Sequence, residues 1–151
     1  MMGKYIRESR HINESFLIDY LNLSATTQLN QIRKFKLGKV VTMISRLGRL
    51  LQMLMYRKYK LCYMTISAGG VGFLKDLLFI FLLKIFRVRI VYHFHNKGLT
   101  RSANPLLAKI YSFVFNHNFS IILSDYLHYD IAPFMNPQRV FICPNGIPAR
   151  S

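Results

Sequence analysis

Residues 91–98 read VYHFHNKG and place two histidines one residue apart at the end of an apolar run. Alternate residues of a strand face the same side, so His93 and His95 could approach one metal ion together. A zinc site needs at least three protein ligands, and no further ligand stands at a second motif spacing. The remaining histidines are His11, His117 and His128. We therefore expect no metal site.

Proton chemistry is the better use of this pair. An imidazole titrates near neutrality, so one at a strand tip can move a proton or hydrogen-bond a hydroxyl or phosphate group. His95 is therefore the candidate catalytic residue, whereas His93, deeper in the strand, is expected to be a packed ring. The alternative is that the strand-end ring is a purely structural histidine.

Three other clusters of small or polar residues also follow predicted strands. They are Ser67-Ala68-Gly69-Gly70, Ser124-Asp125 and Pro144-Asn145-Gly146. Ligands of open parallel sheets bind outside the carboxyl ends of the strands, so the four clusters are predicted to meet at one edge. The candidate substrate-binding residues are Gly69, Gly70, Asn96, Lys97, Gly98, Ser124, Asp125, Asn145 and Gly146.

Short apolar runs alternate with longer helical patterns along the chain. The predicted strands are 16–23, 61–66, 89–95, 119–123 and 139–143. Helical patterns occupy part of 28–57, 71–86 and 105–115, and Ser124 and Asp125 can cap another helix. This alternation is typical of βαβ units. We predict one α/β domain with a Rossmann-like parallel sheet and helices on both faces.

The charge balance points to an anionic partner. The 151 residues include 21 Lys and Arg against 6 Asp and Glu, a net charge of +15. Nucleic acid is disfavoured because no helix-turn-helix, RNP or zinc-finger pattern occurs. Cys62 and Cys143 stand far apart in apolar stretches and are read as buried thiols of a reducing compartment. No signal peptide is visible, and the charges in 71–86 argue against a spanning helix.

The region before residue 60 contains a basic amphipathic helix. Its apolar positions form one arc of a helical wheel, and four cations fall outside that arc. These candidate membrane-facing residues are Lys39, Arg46, Arg49 and Arg57. A basic amphipathic helix can lie on an anionic membrane surface. The alternative is a core helix with a solvated basic back.

Three of the strand-end motifs carry a family resemblance when taken in chain order. HFHNKG, LSD and CPNGIP resemble the N-terminal domain of family 4 glycosyltransferases, which have the two-domain GT-B architecture. The family's strand-end His matches His95, its Ser and acidic pair matches Ser124 and Asp125, and its Asn-Gly turn begins at Asn145. The resemblance implies a retaining, hexosyltransferase-type enzyme that moves a sugar from a nucleotide-sugar to a hydroxyl acceptor without a metal or other cofactor.

The chain also departs from that family. It shows no opening strand with a glycine-rich loop, and the family's nucleotide-sugar-binding domain, with its glutamate pair, has no counterpart. The resemblance thus implies that 1–151 is a partial acceptor-side domain, inactive alone, which lacks its first strand. In a sheet of order 3-2-1-4-5-6 that strand is central. Its loss would leave either an unfilled lane or two strands that close onto each other.

The resemblance implies a cytoplasmic protein, peripheral at the inner face of the plasma membrane, with a lipid-linked acceptor in bacterial surface glycan synthesis. Two alternatives stay open from the sequence. One is a basic protein that binds nucleic acid or membrane, and the other is a non-catalytic remnant of a truncated gene.

Overall fold

The computed structural model describes residues 8–23, 37–67, 69–95 and 105–144. The chain divides into two compact units, 1–48 and 49–151. The first unit contains helix α1 (Arg10–Ser15), in which Arg10 Nε pairs with Glu14 Oε1 at 2.7 Å. This is a favourable spacing of opposite charges on one helix face.

The strand predicted over 16–23 is not formed, and that prediction was wrong. These residues adopt no regular structure. Phe16 and Leu17 are 65% and 86% exposed, so the apolar run does not contribute to a core. A strand needs a neighbour to pair its backbone groups, and a short apolar run carries no information about that neighbour.

Helix α2 (Leu37–Tyr56) confirms the predicted amphipathic helix. It runs without interruption from the first unit into the second. Within the second unit its apolar side is anchored by Leu50 and Leu54, which are buried. Arg46, on the part of α2 that belongs to the first unit, donates from Nη1 to the Leu23 carbonyl oxygen at 3.0 Å.

Four parallel strands form the sheet of the second unit. They are β1 (Leu61–Ile66), β2 (Arg89–Phe94), β3 (Phe119–Ile122) and β4 (Val140–Ile142). They pair in chain order, β1-β2-β3-β4, and each lies within one residue of its predicted ends. β-Branched and aromatic residues favour the extended backbone here. The predicted α/β, Rossmann-like fold class is confirmed.

No gap of one strand width separates neighbouring strands among the described residues. β1 pairs directly with β2, from Leu61 opposite Arg89 to Ile66 opposite Phe94. The lack of a first strand stays a prediction. Strands that are consecutive in the chain are neighbours in the sheet. A further strand could therefore pair only at the outer edge of β1 or β4.

Helices α3 (Gly70–Ile85), α4 (Pro105–Phe115) and α5 (Asp125–Ile131) connect these strands. Short 3-10 turns at Ala132–Phe134 and Pro137–Arg139 lead into β4. Ring contacts join α4 to the sheet, because Phe115 lies 5.3 Å from Tyr92 and 5.6 Å from Phe94, centroid to centroid. Helix coverage of the opposite sheet face stays a prediction.

Within the described ranges, no helix is both long and apolar enough to cross a membrane. The most apolar one, α3, has 16 residues, whereas a span needs about 20.

Candidate functional site

The carboxyl ends of the four strands meet at one edge of the sheet. Ile66, Phe94, Ile122 and Ile142 stand opposite one another in register. The residues that follow them are therefore neighbours along that edge. They include Ser67, His95, Leu123 and Cys143. The structure thus brings the described members of the predicted clusters to one side of the domain.

His93 and His95 occupy different environments on the same side of β2. The His93 ring is fully buried, whereas His95 is exposed at the strand tip. Their rings are stacked, with centroids 4.2 Å apart and planes inclined by 26°. The expectation of a buried His93 and a solvent-facing His95 is confirmed. The stacking orients the exposed imidazole on a ring that the core holds in place.

A tyrosine from the neighbouring strand anchors the buried ring. Tyr63 lies in register with Val91, and its ring reaches diagonally so that its hydroxyl hydrogen-bonds His93 Nδ1. The two rings also meet edge to face at 5.8 Å. His93 Nε2 is buried, and no described residue hydrogen-bonds it. A buried polar atom without a partner is costly, so this position calls for an explanation.

The protonation states follow from burial. Burial lowers the pKa of His93, and the charge of His95 lowers it further, so the His93 ring is neutral at neutral pH. Burial raises the pKa of Tyr63, and the electrostatic effect of Cys143 raises it further. The Tyr63 hydroxyl therefore stays protonated. Tyr63 can therefore donate to Nδ1, and the single ring proton of His93 then lies on Nε2.

The glycine turn after β1 has a specific shape. Gly70 has φ +65°, a left-handed conformation that favours glycine. The Ser67 backbone N–H donates to Asp76 Oδ2 at 2.9 Å, and Asp76 is buried. A Cβ at Gly72 would lie 2.8 Å from Ser67 Oγ. The Asp76 carboxylate of α3 therefore holds in place the turn that precedes this helix.

Ser124 and Asp125 follow β3 and are exposed. Ser124 occupies the N-cap position of α5 with an extended backbone, but its side chain makes no capping hydrogen bond. Its hydroxyl and the Asp125 carboxylate both stand at the edge of the sheet that carries His95. Their predicted role in binding a substrate stays a prediction.

Several predicted site residues lie outside the described residues. They are Asn96, Lys97, Gly98, Asn145 and Gly146. The side chain of Lys39, one of the four predicted membrane-facing cations, also lies outside the described residues. Arg46 is half-buried and bonded to the Leu23 carbonyl, and Arg49 and Arg57 are exposed.

The two cysteines differ from each other. Cys62 is partly buried, and burial raises the pKa of its thiol to about 11. Cys143 is exposed, so the expectation that both thiols are buried was wrong for Cys143. The reason is its position just past the three-residue strand β4, at the sheet edge. Within the described ranges, no group of three or more His, Cys, Asp or Glu could hold a metal ion.

A cavity of about 460 Å³ lies elsewhere in the second unit, between the end of α4 and the 3-10 turns. Its polar lining consists of Ser112, Asn116, His117, Asn136 and Arg139. No residue of the His95 edge lines it. We take the sheet edge as the candidate functional site, since the stacked histidines lie there.

Three contributors to the site, Tyr63, Gly72 and Asp76, were missed from the sequence. Strand alternation gives the face on which Tyr63 lies, but the register of β1 against β2 is a long-range property. The spacing of Gly70 and Gly72 is a visible signal, since a left-handed backbone and a close approach to the Ser67 side chain both favour glycine. Asp76, the single acid in the mostly apolar run 71–86, was the strongest available signal, because a buried carboxylate needs a partner.

Comparisons of the chain with protein-family models, with curated proteins and with solved structures found no match.

Proposed function

We propose that the chain is the acceptor-side domain of a retaining glycosyltransferase, of the hexosyltransferase type, similar to family 4. The observation that carries the proposal is the exposed His95 ring, stacked on a buried neutral histidine at the carboxyl edge of a parallel sheet. In the proposed reaction, a sugar moves from a nucleotide-sugar to a hydroxyl group of the acceptor. His95 contacts the reacting groups and binds or deprotonates a hydroxyl.

The Tyr63–His93 pair serves as a positioning device for His95. A side chain at a strand tip is free to change rotamer unless packing holds it, and chemistry needs an orientation kept within about 10–20°. The His93 ring supplies a flat surface at 4.2 Å, and the Tyr63 hydroxyl fixes that ring in turn. Because His93 is neutral, it places no charge beside His95.

The remaining edge residues suit a polyhydroxylated ligand. Gly69 and Gly70 expose backbone at the start of α3, and Ser124 and Asp125 present a hydroxyl and a carboxylate. Hydroxyl groups of sugars are recognised by such donors and acceptors. Asn96, Lys97, Gly98, Asn145 and Gly146 complete the proposed set.

The proposal assigns the main nucleotide-sugar site to a second domain, and the chain alone is then inactive. It also includes peripheral attachment to the inner face of the plasma membrane, where a lipid-linked acceptor for a bacterial surface glycan would lie. The net charge of +15 supports attachment to an anionic surface.

The experiment is a donor screen with the longest polypeptide that the gene encodes. Isotope-labelled nucleotide-sugars are supplied one at a time with membranes of the producing cell. The proposal predicts transfer of one sugar to membrane lipid or glycan, with the anomeric configuration retained and with no loss in a metal chelator. Absence of transfer from every donor, at confirmed folding, would show the proposal to be wrong.

A further inference from the structure

The outward face of α3 carries an apolar stripe that the described residues leave exposed. The stripe consists of Val71, Leu74, Leu78, Phe81 and Ile85, each at least 45% exposed. These positions repeat at intervals of three and four residues, so they form one continuous line along the helix. At 100° per residue the line lies about 180° from the buried side of the same helix. The helix is thus apolar on both faces.

An apolar stripe of this length is uncommon on the surface of a monomer, and it indicates an interaction partner. On the helical wheel, Lys75 and Lys84 lie at about 90° on either side of the stripe. Lys75 pairs with Asp76 at 3.4 Å, and Lys84 donates to the Asn116 carbonyl oxygen at 3.3 Å. Both are long cations at the border between the buried and exposed faces, where such side chains border a water–apolar interface.

The carboxyl end of α3 adds a cluster of positive charge. Its exposed members are Lys58, Lys60, Arg87 and Arg89. The Arg89 N–H donates to the Lys60 carbonyl oxygen at 3.3 Å, which brings the two chain segments together. Asp76 is the only acidic residue between positions 20 and 124, and it is buried. Between positions 20 and 124 the sequence therefore offers no exposed acid to balance this positive charge.

We infer that the α3 stripe docks onto an anionic phospholipid bilayer, with Lys58, Lys60, Arg87 and Arg89 against the lipid phosphates. A helix with one apolar side and basic neighbours lies in the membrane plane and buries its apolar side by about 5–10 Å. A second copy of the chain would bring a further +15 charge and is disfavoured by repulsion. Nucleic acid would match the charge but not the apolar stripe.

This inference rests on the peripheral attachment included in the proposed function, and it names α3 rather than α2 as the docking surface. The test is flotation of the 151-residue chain, synthesised in the presence of vesicles so that aggregated protein stays at the bottom of the gradient. One vesicle contains phosphatidylglycerol and phosphatidylcholine in equal parts, and the other contains phosphatidylcholine alone. The wild type is expected to float with the anionic vesicle.

The stripe variant combines Leu74→Gln with Phe81→Gln, and its partition into anionic vesicles should fall at least ~10-fold because two apolar anchors are lost. The matched control combines Leu106→Gln with Tyr129→Gln, which are 67% and 77% exposed and lie off the stripe. The control should float within about twofold of the wild type. Circular dichroism confirms that both variants keep their helices.

Three outcomes would overturn the inference. If the stripe variant floats like the wild type while Arg46→Glu with Arg49→Glu does not float, attachment stands but α2 is the surface. If the wild type binds neither vesicle, attachment itself fails, whereas the donor screen for sugar transfer is unaffected. If the lipid-free chain forms a dimer that the stripe variant dissociates, and no protein floats, the stripe's partner is a second copy.

Discussion

The two faces of strand β2 differ sharply although their residues alternate along one backbone. On one face, Tyr92 and Phe94 are buried against α4, and the Tyr92 hydroxyl donates to the Val114 carbonyl oxygen at 3.0 Å. On the other face, His93 is equally buried, but its Nε2 has no partner among the residues that the structure describes, and His95 is exposed.

The Tyr92 face bonds its buried side-chain polar groups with one exception, whereas the His93 face keeps polar groups available. On the Tyr92 face, Asn118 illustrates the first case, since its Oδ1 accepts from the Ile90 N–H and its Nδ2 donates to the Val114 carbonyl. The Ser120 hydroxyl is the exception there, since it is buried and no described group bonds it. The candidate site lies on the His93 face, because that face carries the exposed His95 ring.

The largest effect is expected on the Tyr92 face. Phe115→Ala should lower the free energy of unfolding by ~3–5 kcal/mol, because a buried ring is replaced by a cavity. Phe113→Ala on the same helix is the matched control, since Phe113 is 49% exposed. Thermal or urea unfolding of the two variants measures the difference. Equal losses would mean that α4 does not pack on this face as described.

A smaller effect is expected from the anchor of His93. Tyr63→Phe removes the hydroxyl and leaves buried Nδ1 without a partner, which should cost ~1–3 kcal/mol of unfolding free energy. Tyr129→Phe, at a position 77% exposed, should change it by less than about 0.5 kcal/mol. Urea unfolding at neutral pH tests both. A neutral Tyr63→Phe would argue against the hydrogen bond.

The buried imidazole should also make stability depend on pH. The pKa of His93 is lowered in the folded state, so below about pH 6.5 the unfolded chain binds more protons than the folded one. Stability should therefore fall as pH decreases below that value, with a slope of at most about 1.4 kcal/mol per pH unit.

His93→Gln should flatten this slope, whereas His11→Gln, at an exposed position, should leave it unchanged. Urea midpoints between pH 5 and pH 8, at about half-unit steps, are sufficient to compare the three proteins. A slope that survives in His93→Gln would assign the titration to another group.

The smallest effect on stability is expected at the glycine turn between β1 and α3. Gly70→Ala should destabilise by about 1 kcal/mol, because alanine resists the left-handed conformation. Gly48→Ala is the control with the opposite sign: a Cβ there meets nothing within 4 Å, and alanine favours the interior of α2 by about 0.5–1 kcal/mol. Opposite shifts in melting temperature are expected, and shifts of the same sign would contradict the backbone description.

The parts of the fold that were predicted correctly depend on local pattern. Leu61–Ile66 was predicted to the residue because it is an apolar run that a glycine turn follows, and the position of His95 at the strand tip separated it from the deeper His93. The strand at 16–23 failed because local pattern does not say whether a partner exists. The Tyr63–His93 bond joins residues 30 positions apart, and it depends on a register that no local pattern contains. The exposure of Cys143 likewise depends on where a short strand ends.

The central claim, that the His95 edge transfers a sugar to a hydroxyl, is tested most directly by one rate. We would measure sugar transfer by His95→Ala in the longest polypeptide that the gene encodes, with the folded fraction matched to the wild type. His11→Ala serves as the control. The account predicts a decrease of ~10²-fold or more for His95→Ala and less than about twofold for the control. Equal rates for the wild type and His95→Ala would contradict the account.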